Sequence, residues 1–473
     1  MPVLDATVLC AYYLALGALA FYGVHRFYLV RLRRRHSAAS GEPPRLERWP
    51  SLCVQLPLFN EPNVAARLIN AIAALEYPGA MQIQVLDDST DATPAIVAER
   101  VAHWRARGIE IVHVRRDDRS GFKAGALAHG LALSNAELFA IFDADFVPAP
   151  DTLVRMVPHF ADAGVGMVQA RWTHLNRRAS MLTRVQALYL DGHFAIESAA
   201  RHASGCFFNF NGTAGIWRRE AIETAGGWSA STLTEDLDLS YRAQMAGWRF
   251  VFLPDVEVPA ELPAALSGFQ DQQHRWTKGS VQTARNILPR LLRGGFTRQV
   301  KREAFFHLTN NSAYLLTLIV ALLLVPAIVI RQRIGIGWTL LIDASIFLSS
   351  SCSVILFYFE GQRFARQPRP SLTEMLAVLP IGIGISLRNA AAVIEGLVEH
   401  GGDFVRTPKQ GDTKRRVVSR SGFPVGETVL AIFFTATLSA LCISGQWSSL
   451  PFVLLFLAGF GFVAVQRMVE LTS

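Results

Sequence analysis

The chain has 473 residues and a net charge of +8, and 51% of it is apolar while only 18% is charged. Because soluble globular proteins carry about 25% charged residues, this composition favours membrane-spanning segments and excludes an intrinsically disordered chain. The five cysteines form no CxxC pair and the twelve histidines are scattered, which excludes a disulfide scaffold or a zinc ribbon and disfavours a zinc hydrolase.

The first predicted element is a membrane span over residues 4–24, a run of the ~20 apolar residues that a crossing needs. No basic segment precedes this run and no small-residue cleavage site follows it, so a span is favoured over a cleaved signal peptide. Arginines cluster at positions 26–35, and such basic flanks face the cytosol. Residues 1–36 are therefore expected to form a transmembrane helix and its basic flank, with the N-terminus outside.

An α/β domain is predicted next, over residues 42–262. Its expected strands cover residues 52–56, 83–86, 109–114, 138–142 and 166–170, and helices are expected at 64–75, 94–106 and 124–133. This alternation predicts a doubly wound sheet with right-handed crossovers. Ligands bind such sheets beyond the carboxyl ends of the strands, so polar residues at those ends are candidate site residues.

Basic amphipathic and apolar segments complete the chain. Residues 263–306 interleave arginines such as Arg285 with leucine and phenylalanine, a pattern typical of helices on an anionic membrane surface, although a solvated helix has the same pattern. Residues 307–473 contain four predicted spans, at 308–330, 336–358, 425–443 and 450–465. Segment 371–399 has basic flanks on both sides and is expected to lie in the interface or to re-enter. Five crossings are expected, with six as the alternative. Five crossings from an outside N-terminus place the C-terminus inside.

Three polar clusters follow predicted strands. They are Pro57, Asn60 and Glu61; Asp87 and Asp88; and Asp143 and Asp145. Parallel strands end at one edge of a sheet, so these groups should converge there, and burying several carboxylates together is costly unless a cation is present. Asp143 and Asp145 have no basic partner nearby in sequence, which predicts Mg²⁺ or Mn²⁺ shared with substrate phosphates. A lone DxD motif, by contrast, is most often a solvated turn.

Further candidate residues lie in three short motifs. Lys123, flanked by glycines, opens a helix where backbone amides and an ammonium can meet phosphate, although a capping turn with an exposed lysine fits equally. Glu235 and Asp236, in a TED motif, offer a general base for a hydroxyl acceptor. In a QxxRW motif, Arg275 can clamp a diphosphate while the ring of Trp276 stacks on a sugar; an ordinary amphipathic helix surface is the alternative.

Taken in order, the DD pair, DxD, TED and QxxRW, followed by apolar spans, resemble glycosyltransferase family 2 and its GT-A fold. The TED and QxxRW pair is similar to its processive branch, the cellulose, chitin and hyaluronan synthases. Longer stretches resemble plant cellulose-synthase-like A and C proteins, which make β-mannan and β-glucan backbones: QVLDDSTDAT, GFKAGAL, FDADFVPAPD, VQARWTHLN, FNGTAGIWR and QQHRW. The resemblance is strong over about residues 50–295 and weaker in the membrane region.

The resemblance implies a role for each motif. Nucleotide-sugar contacts are implied for Pro57, Asn60, Glu61, Asp87, Asp88, Lys123 and Asp143, with Asp145 as the metal ligand. Asp236, beside Glu235, is implied as the base that deprotonates the acceptor hydroxyl. The acceptor and diphosphate groups implied are Asn211, Gly212, Thr213, Gln272, Arg275 and Trp276.

A last resemblance lies in residues 401–411. Phe404, Thr407 and Lys409 match the FxVTxK gating loop of cellulose synthases, with an arginine where valine is expected and an added proline. The resemblance implies that Thr407 and Lys409 reach a diphosphate when donor is bound. The loop would then be cytosolic, in agreement with its basic flanks.

The expected function is that of an inverting hexosyltransferase in the plasma or inner membrane, with a cytosolic catalytic domain. It would polymerise hexose from UDP-glucose or GDP-mannose into a β-1,4-linked polysaccharide and move the product across the membrane. A non-processive enzyme that makes a β-glycolipid, of the ceramide-glucosyltransferase type, stays open, as does a nucleotide-sensing transporter or receptor. The expected partners are the nucleotide sugar, the growing polysaccharide and membrane lipids, without nucleic acid; a homo-oligomer or an export partner is compatible with these patterns.

Overall fold

The structure, a computed structural model, describes residues 3–36, 45–402, 409, 411 and 422–472. Its strands are β1 Leu52–Leu58, β2 Met81–Asp87, β3 Ile111–Val114, β4 Leu138–Ile141, β5 Val165–His174, β6 Gly215–Arg218 and β7 Arg249–Ala260. The helices up to the last strand are α1 Val3–Arg35, α2 Ala65–Ala73, α3 Thr93–Arg105, α4 Phe122–Ala132, α5 Thr152–Met156, α6 Met181–Gly192, α7 Ala199–Ala203, α8 Arg219–Thr224 and α9 Glu235–Met245. The later helices are α10 Leu266–Arg293, α11 Arg298–Thr309, α12 Ser312–Arg333, α13 Leu340–Phe364, α14 Leu372–Gly384, α15 Ser386–Val398, α16 Val425–Ile443 and α17 Leu450–Thr472.

One seven-stranded sheet, in the order β3-β2-β1-β4-β6-β5-β7, organises the first half of the chain. Strands β1 to β4 are parallel, β6 runs antiparallel between β4 and β5, and β7 is parallel to β5. Strands β1 and β4 are buried on both faces, which is why their sequences are nearly continuous apolar runs. Strand β1 has β2 on one side and β4 on the other, so the order of the strands reverses at β1. A crevice forms at such a point, beyond the carboxyl ends of the strands.

The predicted α/β fold class is confirmed, and all five predicted strands and three predicted helices are present with shifted ends. Strands β6 and β7 were not predicted. Strand β6 has only four residues, and β7 contains Pro254 and Pro259, residues that normally mark an edge strand or no strand. Strand β7 tolerates these prolines because it lies at the edge of the sheet and bulges: Ala170 and Arg171 of β5 pair with Leu253 and Glu257, which leaves Pro254 in the unpaired bulge of β7.

The apolar helices agree with the predicted spans. Among the described residues, five helices are long and apolar enough to cross a membrane: α1, α12, α13, α16 and the segment that ends with α17. Helices α14 and α15 meet at an angle of 46° and would make a sixth crossing if they form one span. Helix α1 continues without a break to Arg35, so the predicted span and its basic flank are one element. Domain limits and membrane orientation stay predictions.

Helix α10 joins the sheet domain to the apolar helices. It carries the QxxRW motif at its centre and packs along α15 and α11. Arg285, expected at a lipid surface, instead donates hydrogen bonds to the carbonyls of Leu397 (2.7 Å) and Glu399 (3.0 Å) at the end of α15. Lys278 forms an ion pair with Glu395 at 3.1 Å on the same helix. These contacts fix the QxxRW helix relative to the bent pair α14–α15.

Candidate functional site

A cleft lies at the carboxyl ends of β1, β2 and β4, closed on the far side by the start of α9 and the middle of α10. It brings most of the predicted site residues together: Pro57, Glu61, Asp88, Lys123, Asp143, Asp145, Asn211, Gly212, Glu235, Asp236, Gln272, Arg275, Trp276 and Lys409. Three other predicted residues, Asn60, Asp87 and Thr213, support the wall behind this surface. Phe404 and Thr407 lie outside the described residues.

The two carboxylates of the DD pair have different surroundings. Asp87 is buried, its Oδ2 lies 2.9 Å from Nε2 of His113, and its Oδ1 accepts the amide of Ser89 at 2.9 Å. Burial opposes ionisation of Asp87, but the hydrogen bonds from His113 and Ser89 outweigh it and lower the pKa of the carboxyl. Asn60 ties the neighbouring loops together, because its amide donates to Oγ of Ser89 at 2.7 Å and its side chain accepts the amide of Thr90. Both residues therefore hold the loops beneath the cleft.

Asp88 faces the cleft but is held by an arginine that the sequence analysis did not identify. Arg116 makes a bidentate contact with Asp88, with Nε–Oδ1 at 3.0 Å and Nη2–Oδ2 at 2.5 Å. The same guanidinium donates to the carbonyls of Ser120 (2.8 Å) and Phe122 (3.1 Å). The loop before α4 is thereby fastened to Asp88. The signal was present, since the stretch RRDDRS lies directly between a strand and the glycine-flanked lysine.

The two aspartates of the DxD motif each have a lysine partner, contrary to the expectation from sequence proximity. Lys123 Nζ donates to Asp143 Oδ1 at 2.5 Å and to the carbonyl of Gly212 at 2.9 Å. Burial of Lys123 disfavours its charge, yet the carboxylate of Asp143 outweighs this and raises the lysine pKa. Lys409 Nζ lies 2.6 Å from Oδ2 of Asp145, which also accepts the amide of Glu261. Lysines distant in sequence thus balance both carboxylates.

The acceptor loop, residues 211–214, is held in an unusual backbone conformation. Gly212 has φ of 80° and Ala214 has φ of 53°, values that side chains disfavour. Gln169 fastens the loop, accepting the amide of Asn211 at 3.0 Å and donating to the carbonyl of Thr213 at 3.1 Å. The hydroxyl of Thr213 accepts the amide of Asp143 at 2.8 Å. This loop is therefore tied directly to the DxD motif.

Glu235 and Asp236 begin helix α9 and face the same space as Gly212. Burial, followed by the nearby charge of Glu235, raises the pKa of Asp236 from 3.8 to about 7, despite the opposing charge of Lys123. Burial likewise raises the pKa of Glu235. A Cβ at Gly212 would lie 3.0 Å from Oδ2 of Asp236, so only glycine leaves this carboxylate its space. A carboxylate with a pKa near neutrality is suited to accept a proton from a hydroxyl.

Helix α10 presents one face of the QxxRW motif to the cleft. Gln272, Arg275 and Trp276 are spaced at i, i+3 and i+4 and so share a face. Burial lowers the pKa of the Arg275 guanidinium, an effect opposed by the carboxylates of Glu235 and Asp143. The guanidinium therefore lies near the acidic floor of the cleft. Trp172, which was not among the predicted site residues, lines the same cleft as Trp276.

A second cavity continues from the cleft into the apolar helices. Seven residues border both spaces: Trp172, Leu190, Asn211, Thr234, Asp236, Gln272 and Trp276. Beyond them the cavity is lined by α1, α6 and the helices from α10 to α14, together with α17. Helix α1 contributes one stripe, namely Tyr12, Leu16, Leu19, Tyr22 and Arg26. At 1.5 Å per residue this stripe is about 21 Å long, so the cavity extends across much of an apolar layer.

Sequence comparisons relate the chain to known proteins. A sequence model of the family described as "Glycosyltransferase like family 2" matches residues 50–279. Glucomannan 4-beta-mannosyltransferase 1 of Oryza sativa subsp. japonica is 38% identical over 298 residues, which cover 61% of this chain and 57% of that protein. Probable glucomannan 4-beta-mannosyltransferase 9 of the same organism is 33% identical over 411 residues, which cover 83% of this chain and 76% of that protein.

Among solved structures, the mannosyltransferase PcManGT from Pyrobaculum calidifontis, in complex with GDP-Man and Mn²⁺, superposes with a TM-score of 0.57 and 21% sequence identity. The match covers 83% of this chain and 99% of that chain, and it shows a shared fold. This chain spans 57% of the length of the first rice relative, so it matches somewhat more than half of that protein.

Proposed function

This chain belongs to glycosyltransferase family 2, and we propose that it transfers hexose units from a nucleotide sugar onto a growing β-linked polysaccharide in a membrane. The observation that carries the proposal is the continuity of the cleft with the cavity among the apolar helices. Asp236, the candidate base, and Trp276 border both spaces. A product elongated at Asp236 therefore has a direct path between the helices, which supports export of the polymer.

The proposed reaction is one in-line displacement at the anomeric carbon. Asp236 accepts the proton of the acceptor hydroxyl, and its raised pKa suits it to do so near neutral pH. The bond from the sugar to the diphosphate breaks as the new glycosidic bond forms. Because one displacement inverts the configuration, an α-linked donor yields a β-linkage. Arg275 is placed to attract the departing diphosphate, and Trp276 offers a flat surface for the acceptor sugar.

A divalent cation fits the floor of the cleft. Asp145 is buried and already holds a cation, the ammonium of Lys409. Mg²⁺ and Mn²⁺ bind through one or two carboxylates and substrate phosphates, so Asp145, with Asp143 beside it, would hold the ion once Lys409 has moved. The ion would offset charge on the diphosphate. Lys409 would then be free to contact the donor, as the resemblance to a gating loop implies.

The donor that we propose is GDP-mannose, with a β-1,4-linked mannan as product. The support comes from the relatives, which are named glucomannan 4-beta-mannosyltransferases and are 38% and 33% identical to this chain over 298 and 411 residues. UDP-glucose is the second candidate donor, because the cellulose-synthase-like C proteins that share the same motifs make a β-glucan.

The test supplies purified full-length chain, reconstituted in lipid, with radiolabelled GDP-mannose or UDP-glucose and Mn²⁺. We expect a polymer from GDP-mannose that an endo-β-1,4-mannanase degrades and an endo-β-1,4-glucanase leaves intact. Asp236→Asn protein is the matched control and should leave the label in the donor. A polymer formed from UDP-glucose alone would overturn the donor assignment. A labelled product of single-sugar size that partitions into organic solvent would overturn the polymerase and favour the glycolipid enzyme.

A further inference from the structure

We propose that His193 is a positioning residue for the acceptor: its imidazole bridges Asn211 and Glu197 and fixes the acceptor loop beside the base. The inference rests on the proposed function, since it assigns a role in binding the growing chain. Nε2 of His193 lies 2.9 Å from Oδ1 of Asn211, and Nδ1 lies 3.3 Å from Oε2 of Glu197. All three side chains line the cavity, and Asn211 also borders the cleft.

The backbone around His193 departs from regular helix. After α6, residues His193–Ser198 form a π-helical turn before α7 begins. Such wide turns are rare and occur frequently at functional sites, because the extra residue rotates side chains out of their regular positions. Here the turn carries both His193 and Glu197 to the cavity. In a regular helix, Glu197 would point in a different direction relative to His193. The wide turn therefore helps to place both side chains for the bridge.

The hydrogen bonds of Asn211 show which side of its carboxamide faces His193. The carboxamide of Asn211 has one orientation, because its Oδ1 accepts Nδ2 of Asn209 at 3.1 Å and its own Nδ2 donates to the Asn209 carbonyl at 3.3 Å. Flipping the amide would place like groups together at both contacts. Nε2 of His193 must therefore donate to Asn211, while Nδ1 faces a carboxylate, which only accepts.

Glu197, the second partner of His193, belongs to an ion-pair network that reaches helix α1. Arg201 Nη1 lies 3.3 Å from the same Oε2 of Glu197, and its Nε lies 3.9 Å from Glu303. Glu303 in turn pairs with His25 of α1 at 3.0 Å. The network thus connects the first apolar helix to Asn211 through His193. His25 belongs to the network but makes its pair with Glu303, away from the acceptor loop, so it provides a matched comparison.

The bridge acts on the acceptor through two neighbouring residues. His193 and Asn209 both contact Oδ1 of Asn211, and the backbone amide of Asn211 donates to Gln169. These three contacts fix the first residue of the loop. Gly212 then keeps its backbone against Asp236. Loss of His193 frees the carboxamide of Asn211 at the point where the growing chain enters the cavity. The donor pocket, built from Asp88, Asp143 and Asp145, has no part in this bridge.

The experiment compares His193→Leu, His193→Gln and His25→Gln in the reconstituted full chain, with a manno-oligosaccharide as acceptor and GDP-mannose as donor. We expect His193→Leu to raise the acceptor KM about tenfold and to shorten the product, with the donor KM within about twofold of wild type, since the hydrogen bond to Asn211 is lost. His193→Gln should recover part of the acceptor affinity, because its amide can donate to Asn211. His25→Gln should lower thermal stability but keep the acceptor KM and the product length.

Two outcomes would overturn the inference. One is an unchanged acceptor KM and product length in His193→Leu. The other is the same loss in His25→Gln as in His193→Leu, which would show that the network only stabilises the fold. Wild-type protein that elongates no oligosaccharide would instead contradict the proposed function, and with it this inference; wild-type elongation together with unaffected variants contradicts the role of His193 alone.

Discussion

Gly212→Ala should displace the carboxylate of Asp236, the candidate base, and its effect on rate can be separated from its effect on stability by a matched control variant. The added Cβ would lie 3.0 Å from Oδ2 of Asp236 and 3.5 Å from Nζ of Lys123, and the backbone has φ of 80°. The left-handed conformation costs alanine about 1–2 kcal/mol. Removing the close contact requires the Asp236 carboxylate to move by a few tenths of an ångström. Because a 1 Å misplacement can cost about 10²-fold in rate, we expect kcat to fall by about tenfold.

Gly108→Ala is the matched control. Gly108 has φ of 83°, and a Cβ there would meet nothing within 4 Å. Both variants should lose similar thermal stability, measured by the unfolding temperature in detergent, and both should bind donor nucleotide with near-normal affinity. Only Gly212→Ala should lose kcat in the radiolabelled transfer assay. If Gly212→Ala stays within about threefold of Gly108→Ala, the carboxylate of Asp236 is not the group that accepts the proton.

Further predictions concern the charges in the cleft. Asp236→Asn should reduce kcat by at least ~10²-fold, as loss of a general base does, with nucleotide affinity retained; more than a tenth of the wild-type rate would rule out this base. Because the folded pKa of Asp236 is about 7, above its ordinary 3.8, the carboxyl is protonated below that pH, and kcat/KM should rise through pH 7 and level off above it. The ionised form is the less stable one in the fold, so Asp236→Asn should raise the unfolding temperature at pH 8 but hardly at pH 4; equal shifts at both values would contradict the raised pKa. Lys409→Ala protein should bind Mn²⁺ at least threefold more tightly in the absence of donor, measured by calorimetry, because the ammonium no longer occupies Asp145. The transfer rate of this variant should fall. Full wild-type activity in excess EDTA would show that the reaction needs no divalent cation.

The sequence predicted the apolar strands that are followed by polar candidate site residues. Strands β1, β2 and β4 are short and mostly apolar, and polar residues stand at or directly after their carboxyl ends, so both the strands and the clusters could be located. The parallel alignment then predicted correctly that residues as far apart as Glu61 and Asp145 would meet. Asp236 and Trp276 joined the same cleft, although only the order of motifs, and no rule of spacing, linked them to the sheet.

The sequence could not predict which charged residues pair over long distances in the chain. The partners of Asp143 and Asp145 are Lys123 and Lys409, 20 and 264 residues away, so a search for neighbouring basic residues missed both. The bridge from His193 depends on a π-helical turn, which has no hydrophobic periodicity to reveal it. Asn60 and Asp87, predicted as nucleotide contacts, also support the fold, because the amides of Thr90 and Ser89 donate to their side-chain oxygens; their contact with the nucleotide stays a prediction. Residue type and strand-end position alone do not separate these two uses.

The most direct test of the account asks where the polymer goes. Proteoliposomes that expose the catalytic domain to the outside would receive radiolabelled GDP-mannose and Mn²⁺, followed by an endo-β-1,4-mannanase added outside, with or without detergent. Because the cleft continues at Asp236 and Trp276 into the cavity between the apolar helices, the labelled polymer should resist the enzyme until detergent opens the vesicles. Polymer that is fully degraded without detergent, or label recovered only in a glycolipid, would contradict a single path for synthesis and export.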